Sequence, residues 1–250
     1  MLSSPLRIVG FLAAILMTVG IQPAHANVGP ELARIDPDLK DLPMGKPREA
    51  LHDWFKTKID RAALTTIAGA SDYAEKERLR AQRDQRLAAL TQGEVFFDEK
   101  AFTKDRSWEV SLIAGEFGRG TEESMIVWRQ PGETLYFFLR RGVLWKVARQ
   151  LDLDDTFEHR RAHWSAAFAS EGAGAGKGTS GPTELRWPRD TLDVRLVNRR
   201  LLYGGDLLII ESRAVAEELI AQRAEAAIPD VSNGKVSHDL DDFFLPDNER

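Results

Sequence analysis

The chain has 250 residues, of which 43% are hydrophobic and 29% charged, with a formal net charge of −5. That is enough apolar material for a packed core, and the mildly acidic balance excludes the electrostatic footprint of a general nucleic-acid binder. The chain has no cysteine, which excludes disulfides, thiolate metal sites, a cysteine nucleophile and the acylated cysteine of a lipid-anchored protein.

The opening stretch MLSSPLRIVGFLAAILMTVGIQPAHA holds one basic residue, Arg7, an apolar run from Ile8 to Ile21, and a small-x-small ending at Ala24, His25 and Ala26. This three-part pattern predicts a cleavable signal peptide over residues 1–26, cut after Ala26. The run is shorter than the ~20 residues a helix needs to cross a bilayer, which favours cleavage over an uncleaved anchor. The protein is therefore expected to be exported, periplasmic or secreted, with no membrane span in the mature form.

Residues 27–47 are polar and punctuated by Pro30, Pro37, Pro43 and Pro47, and read as an extended lead. A single α+β domain is expected over 48–228. Leu51, Trp54, Phe55 and Ile59 recur at helical spacing and predict a helix over about 48–68, ending before Gly69. A second helix is expected from Ser71 to Leu90, capped by Ser71 or Asp72. Its arginines alternate with Glu75, Glu77 and Asp84, which is the pattern of a solvated helix face.

After Gly93 the period becomes strand-like. EVFFDEKAF, SWEVSLIAGEF, SMIVWR and TLYFFLRRGVLWKVARQL each read as strand, separated by turn chemistry at Gly118 to Gly120 and at Pro131 and Gly132. The hairpin Thr134 to Arg149 should turn at Arg141 and Gly142. With a two-residue loop, Phe138 would face Trp145 and Tyr136 would face Val147, with Leu139 beside Leu144 and Leu135 beside Ala148. Asp155 or Thr156 can cap a helix to about Ser170, with Phe157, Trp164 and Phe168 along one side.

The glycine-rich stretch 171–181 reads as a flexible linker. Strand character resumes in TLDVRLV and LLYGGDLLII, and a last helix is expected from Arg213 to about Ala227, stopped by Pro229. Residues 134–170 and 191–227 share the outline of a hairpin followed by a helix, but their residues do not align. Short turns between consecutive strands predict a mainly antiparallel sheet of about five to seven strands with helices packed on it. Residues 229–250 form an acidic tail in which Phe243, Phe244 and Leu245 sit among Asp239, Asp241, Asp242 and Asp247.

No motif in the chain names a chemistry. The run GAGAGKGTSG has a Gly-Lys pair, but a phosphate loop needs glycine where Glu171 stands and a hydroxyl where Gly178 stands, so neither a nucleotide nor any other cofactor is expected. His159 and His163 share a helix face four residues apart, yet that face is opposite Phe157, and a zinc site needs three or four ligands. They are the candidate pair for a structural metal module. Glu116 is the candidate for a carboxylate-based hydrolase, because it ends an apolar strand at the glycine-rich turn IAGEFGRG. Glycoside chemistry would require a second carboxyl about 5–10 Å away.

The hairpin is apolar on both faces. If helices cover only one, Tyr136, Phe138 and Trp145 would form an exposed docking patch, and Phe243 and Phe244 would add a docking peptide in the tail, unless the tail frays or folds back on the domain. The reading these features favour is an exported, non-enzymatic binding or scaffold domain whose partner is another envelope or extracellular protein.

Overall fold

A computed structural model describes residues 28–104, 106–176 and 183–226. The signal-peptide segment with Ala24 and Ala26, and the tail with Phe243 and Phe244, lie outside the described residues. The architecture is α+β, built on one antiparallel sheet of eight strands, larger than the five to seven expected. In chain order the main elements are α1 (Gly29–Ile35), a 3₁₀ turn (Pro37–Leu39), α2 (Arg48–Gly69), α3 (Tyr73–Gln92), β1 (Val95–Phe96) and α4 (Lys100–Lys104). A second 3₁₀ turn (Ser107–Val110) precedes β2 (Glu123–Gln130), β3 (Glu133–Arg140), β4 (Val143–Leu151) and α5 (Phe157–Phe168). The remainder is β5 (Ala173–Ala175), β6 (Glu184–Pro188), β7 (Leu192–Asn198), α6 (Arg200–Tyr203), β8 (Asp206–Ser212) and α7 (Arg213–Ala226).

The strand order is β1-β2-β3-β4-β8-β7-β6-β5. Two four-strand meanders therefore meet where β4 pairs with β8. The hairpin–helix outline repeats in space only in part, because α5 packs its Phe157 on one face of the sheet while α7 packs Ala216 and Leu219 on the other. A dyad normal to the sheet would leave both helices on the same face.

The first face carries Ile126, Trp128, Phe137, Val147, Trp187, Val194 and Ile210 under α1, α2 and α5. Helix α2 forms where its spacing predicts, with Leu51, Trp54, Phe55 and Ile59 buried. Past Ile59 none of its residues is buried, and it packs along α3, whose single buried residue is Leu90. Asp72 caps α3 by accepting from the backbone N–H of Glu75 at 2.7 Å, and Thr156 does the same for α5 at 3.1 Å.

The second face carries Met125, Tyr136, Phe138, Trp145, Leu207 and Ile209. It is covered by α7 and by residues 97–117. Here the chain departs from its strand-like pattern. EVFFDEKAF is a strand only at Val95 and Phe96, because the Asp98 carboxylate accepts from the N–H groups of Gly120 and Glu122 and turns the chain away. SWEVSLIAGEF is a 3₁₀ turn and further turns, not a strand. Its neighbouring residues Leu112 and Ile113 are both buried, whereas a strand would send them to opposite faces.

Three further expectations are corrected. The lead over 27–47 is not extended: it contains α1 and a 3₁₀ turn, buries Leu32, Ile35 and Leu39, and bonds to the start of β4 through Gly45 N–H to Leu144 O at 2.7 Å. The hairpin does turn at Arg141 and Gly142, whose φ values of 50° and 73° suit a two-residue loop. However, a bulge after Phe138 shifts the register. Trp145 and Lys146 both reach the second face, so Phe138 pairs with Lys146, Tyr136 with Ala148 and Leu135 with Arg149.

The glycine-rich stretch 171–181 is not all linker. Ala173–Ala175 pair with β6, and Gly172 adopts φ 73° against Trp187, where a Cβ would lie 2.7 Å from the indole. A glycine is required there by space as well as by conformation. Strand β6 itself escaped the sequence reading, although Leu185 and Trp187 alternate with Glu184 and Arg186 along it.

Candidate functional site

Glu116 does not stand in an open turn. It is 5% exposed, at the end of the segment 97–117 that covers the second face, and three cations converge on it. Arg195 from β7 donates to its Oε2 at 2.5 Å, Arg199 to its Oε1 at 3.2 Å, and Lys146 from β4 donates to its backbone carbonyl, with the carboxylate 3.5 Å from Nζ. Arg195 also makes a two-point contact with Glu211 of β8, at 2.8 and 3.1 Å. Around this centre, Arg213 reaches Asp193 at 3.2 Å, and Arg140 spans to Glu218 of α7.

The network's electrostatics follow from burial and pairing. Burial alone would raise the Glu116 carboxyl, but the charges of Lys146 and Arg195, the Arg195 hydrogen bond and Arg199 together hold it down at about 2. Burial pushes the Lys146 ammonium below the usual lysine range, with Glu116 and Glu211 opposing it. Burial also disfavours the Arg195 charge, but Glu116 and Glu211 outweigh it and hold the guanidinium charged. The two partners disagree, since Lys146 steadies the Glu116 charge while its own charge is disfavoured. Glu116 is nonetheless ionised, because two guanidinium groups would remain on it were Lys146 neutral.

A carboxylate so held is a poor general acid, which needs a raised pKa. Its companion carboxyl, Glu211, is tied by the same arginine. Placing Arg195 between the two carboxylates satisfies both and leaves no position for a sugar.

Tyr136, Phe138 and Trp145 are 6%, 0% and 3% exposed. The condition that would have made them a docking patch, one bare sheet face, is not met. Lys146 lies over the Phe138 and Trp145 rings at 4.4 and 4.5 Å from their centroids. His159 and His163 are on the exposed side of α5, as the helical wheel predicts. His159 Nδ1 lies 2.6 Å from Asp155 Oδ1 and His163 packs edge-on to Trp164. Among the described residues no group of three or more potential ligands could hold a metal.

A second cluster, which sequence reasoning did not single out, opens to solvent on the first face. A recess of about 260 Å³ lies between α2, α3, the 3₁₀ turn at Pro37–Leu39 and the β2–β3 end of the sheet. Its aromatic lining is Trp54 and Trp128, with ring centroids 6.1 Å apart, and Phe55 stacks beneath Trp128 at 5.4 Å. Lys58 lies over the Trp54 ring at 5.1 Å and Arg86 over the Trp128 ring at 4.7 Å.

Lys58 donates to the Asp38 carbonyl at 2.8 Å and Arg86 to Gln130 Oε1 at 3.2 Å. Neither is in an ion pair among the described residues, although Arg149 beside them is paired with Asp36 and Glu133. The Trp54 and Trp128 indole N–H groups are buried without an acceptor there. Burial raises the Asp36 carboxyl, with Arg149 opposing.

What hid both clusters was sequence distance. Asp193 and Arg195 point away from Leu192, Val194 and Leu196, as the alternation of TLDVRLV predicts, but the face they point to is covered. Arg86 reads as one more charge on a solvated helix until β2 brings Trp128 under it. Comparison with known proteins adds no analogy, since no family model, curated protein or solved structure matches this chain.

Proposed function

We propose that this is an exported, non-enzymatic binding or scaffold domain of the envelope or extracellular space, acting through the Trp54–Trp128 recess. The observation that carries the reading is the unfinished chemistry of that recess. Two half-buried cations, Lys58 and Arg86, lie over two indoles and form no ion pair among the described residues, beside a concavity that a partner can enter. Unlike the cations of the Glu116 network, which each have a counter-charge, Lys58 and Arg86 have none among the described residues. Export rests on the N-terminal pattern ending at Ala26, and no helix among the described residues is long and apolar enough to cross a membrane.

The test is a paired capture. The form Asn27–Arg250, immobilised beside its Arg86→Glu variant, is exposed to the native envelope fraction and the bound proteins are compared. A partner retained by the parent and lost with Arg86→Glu supports the reading. Identical capture by both forms, or turnover of a glycoside or ester that is abolished by Glu116→Gln in a folded protein, overturns it. The same preparation tests export, since the mature chain should begin at Asn27 by N-terminal sequencing.

A further inference from the structure

The turn between β7 and β8 inverts the usual order of polar and apolar side chains. Its two arginines are drawn inward: Arg199 donates to Glu116 Oε1 at 3.2 Å and Arg200 to the fully buried Asp206 at 2.8 Å. Its two leucines stand outward, Leu201 94% and Leu202 78% exposed. The turn is firmly held. Arg200 also donates to the Asp155 carbonyl, Tyr203 packs on the second-face core, and Gly204 closes α6 at φ 68°. Two large apolar side chains are thus fixed in a position from which transfer to an apolar phase is favourable.

Two other elements bring apolar side chains to the same end of the sheet. A Cβ on Gly205 would lie 3.5 Å from the Leu112 side chain, and Val110, two residues before Leu112, is exposed on its 3₁₀ turn. Strand β4 ends at Leu151, paired with Asp206, and Leu153 just beyond it is exposed.

Shape and charge describe what these side chains meet. Leu201 is a knob standing free of its neighbours, and Val110 and Leu153 are separate points on other elements. Together they present no close-packed face of the kind that matches a folded partner, and a fluid apolar phase needs no such match. From Leu201 to Gly205 the turn carries no charge. Tyr203, half-buried at its base, has the amphipathic ring that suits a bilayer interface.

We propose that the Leu201–Leu202 turn is an interfacial membrane contact, its two leucines entering the acyl boundary of a bilayer with Tyr203 at the headgroups. Two leucines anchor weakly, so the attachment is reversible. Asp152 and Asp154 are exposed on both sides of Leu153, Arg106 and Glu109 offset one another before Val110, and the chain as a whole is acidic. The surface that suits it is therefore zwitterionic, not anionic. The contact shares no residue with the Trp54–Trp128 recess and does not rest on it.

The experiment is flotation of Asn27–Arg250 with vesicles of phosphatidylcholine alone and of phosphatidylcholine mixed with phosphatidylglycerol. The parent should float with the first and less with the second. Leu201→Ser/Leu202→Ser should lower the partition coefficient by about tenfold or more, with an unchanged urea midpoint. Because the chain has no cysteine, Leu202→Cys takes a single environment-sensitive fluorophore. Its emission should shift to the blue on phosphatidylcholine vesicles, whereas the same label on Ser71→Cys, an exposed position of the α2–α3 connection, should not respond.

Absence of the parent from both floating fractions overturns the proposal. So does equal flotation of the double variant, a blue shift at Ser71→Cys instead of Leu202→Cys, or binding that requires phosphatidylglycerol and is lost in salt, which would trace to basic residues. A lipid-free dimer of the parent that the double variant lacks would place the turn against a second copy, and also overturns it. None of these results bears on partner capture through the recess, which Arg86→Glu tests separately.

Discussion

The Glu116 network and the Trp54–Trp128 recess are built from the same materials, cations set against carboxylates and aromatic rings, on opposite faces of one sheet. In the first, Glu116 takes three cations, Arg195 takes three glutamates, and Glu116, Lys146 and Glu211 are buried. In the second, Lys58 and Arg86 lie over Trp54 and Trp128 at an open rim. Buried charge is costly unless it is fully paired. Buried charges paired with counter-charges are thus a structural solution, and half-buried cations without a counter-charge beside an opening are what a ligand can complete. The residue that looks catalytic in the sequence is buried among its counter-charges, and Lys58 and Arg86, which look like solvated charge, line the candidate site.

The comparison breaks most readily at Glu116. Glu116→Gln removes the charge to which Lys146, Arg195 and Arg199 converge, and leaves buried cations without their partner. The expected loss is about 3–5 kcal/mol of unfolding free energy by urea titration near neutral pH. A loss below about 1 kcal/mol would mean that the network is not structural.

Acid acts on the same charge. The folded pKa of Glu116, about 2, lies below its ordinary value of 4.5, so its contribution is present above pH 4.5 and is lost as pH falls through that value toward about 2. A shift of this size corresponds to about 3 kcal/mol. Thermal melts between pH 5 and 2 should therefore fall more steeply for the parent than for Glu116→Gln.

Lys146→Met should behave differently although it breaks the same pair. Glu116 keeps Arg195 and Arg199, the cost of burying an ammonium disappears, and methionine suits the Phe138 and Trp145 rings. The expected change is below about 1.5 kcal/mol in either direction. Gly172→Ala forces a Cβ toward Trp187 at a positive φ and should cost about 1–3 kcal/mol, which would show that the glycine run is a packed edge as well as a linker.

The smallest effect is expected at the recess. Arg86→Ala should change stability by no more than about 0.5 kcal/mol, while weakening whatever the recess binds. If Arg86→Ala destabilised as much as Glu116→Gln, the distinction between the two regions would fail.

What could be read in advance follows the range of the interactions. Leu51, Trp54, Phe55 and Ile59 announce α2 because a helix is written at spacings of three and four. Arg141 and Gly142 announce their turn because a two-residue loop needs positive φ. The bulge at Trp145 and Lys146 could not be read the same way, since no turn residue marks it and Lys146 meets its partner Glu116 from another part of the chain. Residues 97–117 look like strands because they are aromatic and apolar, but they serve as a cover, for which apolar content matters more than period. The network joins residues from Glu116 to Glu211 and the recess joins Trp54 to Trp128, contacts that no local pattern encodes.

The central claim is that Glu116, a buried carboxylate of the second face, is ionised and committed. A ¹³C-detected titration of the Glu116 side-chain carboxyl in Asn27–Arg250, assigned through Glu116→Gln, measures this directly. The account predicts a single transition near pH 2, or none before the protein unfolds in acid. A midpoint above about 5 in the folded protein would contradict it, and would return Glu116 to the role of a general acid.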